Sequence, residues 1–438
     1  MTTLFENVRD HVADRGYVAV IHESDQSPTN GPGRPIAPPT YAGEKGTPAF
    51  AFTGDAYVPT PDTTGWHTTL RRDSNGDPVR AGRVCVSSVP AESGRGEEAL
   101  WHSQKRIGVT LPGIIVGPPA EADADAAIAQ TRKSTKSASA AQLNQAEAEA
   151  RSAFKDFEVS TWTAAHRQAD AWIKYAANPD DGSQIWQGGV LRDLITSASV
   201  YDGDALYRHF PNSGYAGMWL SSGVSRRHRI PRAYSSEIVG YEATGISRAA
   251  TKLDVTGGAS RDTALTIKDG ELINAKGHKP SDLGFGQIPT SPRETLFQCG
   301  FILQQSSISL PVFRSFQYAD DDDKRKARAA ATVYTLLAIT AHELAAEDAF
   351  LRSECSLVRG ASRWGWRSSG NGPESIETLE VTDADTAAEA LRDAVASAAD
   401  VGLAFADPIH VPMSRVQAVI VAERVAREVS KSTTENDD

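Results

Sequence analysis

The chain reads as an α+β protein on three observations. Residues 83–89 (RVCVSSV) alternate with the period of a strand. Residues 384–399 and 414–429 carry helical periodicity. The two kinds of segment are scattered along the chain and do not alternate as regular βαβ units. At the N-terminus, Thr3 and Glu6 have capping-box spacing, and Leu4, Val8 and Val12 recur at helical intervals, which predicts a short helix. Residues 24–48 are rich in Pro and Gly and read as loop, and 49–58 as a strand. Residues 61–81 return to turn chemistry around Asn75-Gly76. Residues 91–98 read as a loop entering a helix, with Glu97 and Glu98 near its start, and 111–116 as a short apolar strand.

From 117 to 145 the composition shifts to Ala, Ser, Asp, Gln and Lys, as in an exposed helix pair or a mobile insertion. Residues 160–177 predict a helix with Trp162, Ala165, His166, Ala169, Trp172, Ile173 and Ala176 on one face. Leu191, Leu194 and Ile195 suggest a further short helix. Residues 249–286 are polar and hold an alternating piece that turns at Asp269-Gly270. Residues 296–310 read as a strand. Past Lys324-Arg325-Lys326 comes a helix with Val333, Leu336, Leu337 and Leu344 on one face, then a strand at 351–358. The tail from 430 reads as disordered.

At 438 residues the chain can bury a large core in one domain with insertions or in two or three domains. Cys85, Cys299 and Cys355 are widely spaced and odd in number. They fit neither a disulfide framework nor a zinc site, and they suit a reducing cytoplasm, the expected location. The N-terminus lacks the basic and apolar regions of a signal peptide, and no apolar stretch reads as a membrane span. Catalytic signatures are missing. There is no P-loop, no CxxC and no GxSxG, and His342-Glu343 opens like a zinc-protease helix but position 346 is Ala. The acids at 320–323 read as a solvated run before a helix. No metal, cofactor or catalytic residue is expected.

One window stands out. The chain carries a formal charge of −11, yet no Asp or Glu occurs between Asp204 and Glu237, where Arg226, Arg227, His228, Arg229 and Arg232 lie with Trp219 and Tyr234. A solvated loop paired with carboxylates elsewhere is one reading. The other is a nucleic-acid backbone held by arginine forks, with Trp219 or Tyr234 stacking a base. Residues 359–367 combine Arg359, Arg363 and Arg367 with Trp364 and Trp366 in what reads as an exposed loop, a second candidate patch. A third gathers Arg95, Lys105 and Arg106.

Five segments, in order, resemble the backbone subunit of type I CRISPR surveillance complexes (Cascade) of subtype I-U or I-G. That subunit is Csb-one of the Cas-seven family, in the RAMP superfamily. The segments are PIAPPTYAG (35–43), SSVPAESGRGEE (87–98), GMWLSSG with RIPRAYSSEIVGYE (217–242), SDLGFGQIP (281–289), and the helix at 324–349 followed by LRSECSLV (351–358). Ala91, Glu92 and Gly94 stand where the family has Ser, Gln and Asn, while Ser88, Val89, Arg95 and Glu97 match. Ser356 stands where an Asp is usual.

The resemblance implies an RRM-like, ferredoxin-type palm with finger insertions and a thumb hairpin. Its domain plan would be 1–360 for RNA binding, with 117–145 and 251–280 as insertions, then a helical extension at 361–430 and a disordered tail at 431–438. It implies a non-catalytic subunit. Several copies would line one guide RNA (crRNA) beside other Cascade subunits and display it for target DNA in antiviral defence. The residues it singles out, with the basic window, are Arg232 first, then Arg226, Arg227, His228, Arg229, Ser88, Arg95, Tyr234, Trp219, Arg363, Trp364 and Trp366. Two other classes remain open: a RAMP-type endoribonuclease using His228, His209 or an Asp in 269–282, and a protein scaffold that binds no nucleic acid.

Overall fold

The computed structural model describes residues 2–41, 49–134, 139–221, 228–248, 265–268, 271–274, 293–347, 350–369 and 375–434. Eight strands form the main sheet: β1 Tyr17–Pro28, β2 Phe52–Tyr57, β3 Arg80–Ser87, β4 Tyr234–Tyr241, β5 Phe301–Ser309, β6 Phe350–Arg352, β7 Cys355–Ser368 and β8 Ile376–Leu379. They run in the order β6-β7-β1-β5-β4-β3-β2, with β8 also paired to β7, and every pair is antiparallel. The helices that matter here are α1 Leu4–His11, α2 Val89–His102, α3 Glu121–Ser134, α4 Ala140–Lys155, α5 Pro211–Ala216, α6 Arg325–Glu347, α7 Ala384–Asp400 and α8 Arg415–Thr434.

Several local expectations hold. Thr3 Oγ1 accepts from Glu6 N at 3.2 Å while Glu6 Oε2 accepts from Thr3 N at 2.9 Å, closing the capping box of α1. Gly76 adopts φ +88° in the 73–77 turn, where Asp73 N donates to Asp77 O at 2.9 Å. Of the acids at 320–323, Asp321 is buried and not solvated as expected, because it accepts from the backbone of Lys326 and Ala327 at 2.8 and 2.9 Å, which satisfies donors at the start of α6.

The alternation of the central strands buries Val20, His22 and Ser24 of β1 with Ile308, Ser306 and Gln304 of β5 and Tyr234 and Ser236 of β4. Helix α6 has every residue from Ala330 to Leu344 buried. A helix that is apolar all round belongs inside a core. By length and composition α6 could cross a membrane, contrary to the expectation that no segment would, but its burial makes it the core helix of this fold.

Four readings are corrected. First, β1 continues through 24–28, which composition had assigned to loop. Ser24 and Gln26 stay buried because they bond to each other and, with Gln304, across the sheet. Second, 160–177 is not one helix. Arg167 takes a left-handed φ of +54° and Asp170 caps a new turn at Trp172 N, so a 3₁₀ turn and a four-residue helix replace it. Third, 91–98 is helix, since α2 starts at Val89 with Pro90 in its first turn. Fourth, 359–367 is not an exposed loop but part of β7, with Trp364 and Trp366 pointing into the core at 2% and 0% exposure.

The composition-shifted region is a helix pair, α3 and α4, and α8 packs against both, with Ala146, Ala426 and Val429 in one small cluster. A small sheet, Ile409–Pro412 parallel to Ile114–Gly117 and then Val159–Ser160, links these helices to the cleft described next.

Candidate nucleic-acid interface

The acid-free window folds into one wall of a cleft of about 790 Å³. Helix α5 ends at Gly217, whose φ is +80°. A Cβ at Gly217 would come within 2.9 Å of the Arg232 backbone, so only glycine lets the two segments cross here. Past this crossing, Met218–Leu220 pairs antiparallel with His228–Ile230. Met218, Leu220 and Ile230 point inward and are buried. The register sets Trp219 opposite Arg229 on the outer face, with the guanidinium 5.2 Å from the ring centroid. Trp219 is 57% exposed, a large apolar area left to solvent.

Pro231 and Arg232 then lead into β4. Arg232 is exposed, and its Nη1 donates to Ser93 Oγ at 2.8 Å at the start of α2. Desolvation against the cleft wall, then the nearby Arg167 charge, pull its guanidinium below the ordinary arginine value. The opposite wall comes from the broken 160–177 segment. Arg167 is buried and donates to both carboxylate oxygens of Glu97, at 2.7 and 2.5 Å, and to Gly217 O at 2.8 Å. Asn212 donates to Glu97 Oε1 at 2.9 Å and to Thr161 O at 2.9 Å. Burial opposes the Arg167 charge, but the Glu97 carboxylate overcomes it and holds the group above its ordinary value. Lys174 lines the same wall as a largely buried residue, 9% exposed, with its Nζ 5.1 Å from the Trp186 ring.

The charge balance follows. None of the described residues lining the cleft is an acid. Glu97, behind the wall, is neutralised by Arg167. Lys174, Arg229 and Arg232 have no carboxylate within salt-bridge distance among the described residues. Three cations and an open tryptophan face suit a single strand of nucleic acid, which needs phosphate neutralisation and a stacking platform.

The residues singled out from sequence are distributed unevenly. Arg232, Arg229 and Trp219 line the cleft. His228 sits beside it, opposite Leu220, and Ser88 precedes α2 as its N-cap. Arg226 and Arg227 lie outside the described residues, as do 251–264 of the thumb candidate, Asp269-Gly270 and the 281–289 segment.

The others are elsewhere. Tyr234 is buried, with its hydroxyl 3.0 Å from His342 Nδ1, so it has no open face for a base. Trp364 donates to Glu343 Oε1 and Trp366 to Asn7 Oδ1, each at 2.8 Å, as core side chains. Arg363 lies over Trp66 at 5.7 Å. Arg95 bonds Glu92 at 2.9 Å and Ala345 O at 2.8 Å, and Arg106 pairs with Glu347 and Asp385, so both arginines of the third patch are engaged internally while Lys105 is exposed. Replacing Tyr234 with Phe should cost about 1 kcal/mol of stability and leave RNA affinity unchanged. Denaturant melts and a binding titration check this.

His166, Arg167 and Lys174 were missed as site residues because 160–177 reads as an amphipathic helix. The available signal was a lysine among Trp172, Tyr175 and Trp186.

The fold and cleft define an α+β protein with a solvent-open, cation-lined groove. The family model described as CRISPR-associated protein GSU0053 matches residues 20–245, just over half of the chain, and the chain belongs to that family. It therefore has a role in CRISPR defence. The match contains β1 from Val20 onward and both walls of the cleft. No curated protein matches the chain.

Proposed function

We propose that this chain is the guide-RNA-binding backbone subunit of a type I-U/I-G surveillance complex. Several cytoplasmic copies follow one guide, display it for target DNA and cut neither strand. The observation that carries the reading is the cleft, where Lys174, Arg229 and Arg232 share the lining with the exposed Trp219 and none of the described lining residues is an acid. Guide sequence varies, so a subunit that repeats along it must hold phosphates and stack bases without reading them.

The topology supports an RRM-like palm. Taking β1, β4, β5 and β7 in chain order as strands one to four, the sheet order is 4-1-3-2, with α2 before strand two and α6 before strand four. The excursion between β4 and β5 holds a ribbon of Thr244–Arg248 with Arg293–Gln298, and the antiparallel pair Leu265–Lys268 and Glu271–Asn274. A thumb placed there would extend from the palm between adjacent strands.

Trp219→Ala should weaken guide-RNA binding by roughly 5- to 150-fold, the range of about 1–3 kcal/mol for a stacked base, whereas Trp219→Phe keeps most of the affinity. Fluorescence anisotropy with a labelled guide measures both. Equal affinity for wild type and Trp219→Ala contradicts the stacking role. Incubating the complex with RNA complementary to the guide, with and without magnesium, separates this reading from an endoribonuclease. Site-specific cleavage that persists through purification favours the enzyme.

A further inference from the structure

A buried trio beneath the sheet is unused by the RNA-binding reading. His22 of β1 and His342 and Glu343 of α6 are 1%, 2% and 4% exposed. One ligand atom of each lies within 4.8 Å of the other two. His22 Nε2 is 3.0 Å from Ser362 Oγ, and His342 Nδ1 is 3.0 Å from Tyr234 Oη. The remaining nitrogens, His22 Nδ1 and His342 Nε2, are buried and find no partner among the described residues. In the tautomers that donate to the two hydroxyls, both of these nitrogens carry a bare lone pair.

Glu343 offers about four lone-pair sites. Arg359 Nη2 and Trp364 Nε1 occupy those on Oε1, at 3.0 and 2.8 Å, and Arg359 Nη1 takes one on Oε2 at 2.8 Å. One site on Oε2 is left. Burial without a partner is costly for each imidazole nitrogen, and one ligand atom of each ring lies within 4.8 Å of a carboxylate that is itself held in place.

We propose that His22, His342 and Glu343 hold a divalent transition metal through His22 Nδ1, His342 Nε2 and Glu343 Oε2. The contacts on the far sides of these groups are the kind that orient metal ligands, a hydroxyl on each imidazole and Arg359 with Trp364 on the carboxylate. Two imidazoles and one carboxylate select the zinc class over magnesium or calcium. Burial denies access to a substrate, so the metal's role is to fasten β1 to α6 across the core. The zinc-protease-like opening His342-Glu343 thus finds its second histidine on the central strand, not four residues on.

The test uses the full chain, purified without metal-affinity resin, stripped with a chelator and titrated with cobalt(II). The expected result is one cobalt per chain with a visible absorption band from a nitrogen–oxygen site, displaced by zinc and lost in His22→Gln and His342→Gln. Circular dichroism checks that the variants fold. If they do not, the wild type decides alone, by zinc content before stripping and by the cobalt spectrum after it. A folded wild type that retains no zinc and gives no cobalt band overturns the proposal. So does cobalt binding that both folded variants share with wild type.

Discussion

The variant Lys174→Met, Arg229→Ala, Arg232→Ala should bind guide RNA at least ~100-fold more weakly than wild type at physiological salt, with its thermal unfolding little changed. Hydrogen bonds to charged groups contribute about 1.5–3 kcal/mol each. Three of them at about 1 kcal/mol each, below that range because Arg229 and Arg232 face solvent, reach about 3 kcal/mol, against the ~2.7 kcal/mol that 100-fold needs. The fold should tolerate the change because none of the three holds a carboxylate among the described residues and the Met stem keeps the packing of Lys174 on Trp186, which leaves the Arg232–Ser93 hydrogen bond as the main loss, about 1 kcal/mol. Gel-shift and anisotropy titrations give the affinity, and calorimetry gives the stability.

The second large effect is on stability. Glu97→Ala leaves Arg167 charged, 8% exposed and without its counter-ion. Breaking a buried pair from one side costs about 3–5 kcal/mol, and Asn212 loses an acceptor as well. The midpoint of thermal unfolding should fall by several degrees. Replacing both partners, Glu97→Leu with Arg167→Met, should recover most of the loss, because no unpaired charge remains. A double variant as unstable as Glu97→Ala would mean that the pair stabilises by packing and hydrogen bonding, not by charge compensation.

What could be read from the chain depended on the kind of signal. Caps, turns and long periodic helices were legible, because Thr3 with Glu6, Asn75-Gly76 and the apolar run of α6 act locally. Strand β1 was hidden because its core-facing side is polar. Ser24 and Gln26 bond to each other and to Gln304, some 280 positions away. Trp364 and Trp366 looked exposed among Arg, Gly and Ser, but β7 is flanked by β1 and β8, which closes them over. In the cleft, Arg229, Arg232 and Trp219 were legible as a charge anomaly. Lys174 and Arg167 were not, since the left-handed turn at Arg167 breaks the helix that the periodicity predicts. The adjacency of Trp219 and Arg229 depends on a strand register that composition does not encode.

The central claim is that Lys174, Arg229 and Arg232 neutralise phosphates of a single strand in one cleft. The most direct measurement is the slope of log affinity for guide RNA against log salt concentration, compared between wild type and the triple variant. Single-stranded contacts contribute roughly 0.7 to the slope per neutralised phosphate, so the variant's slope should be shallower by about 2. A variant that binds more weakly with the same slope as wild type would contradict the account, because the three cations would then be acting on the protein and not on the RNA.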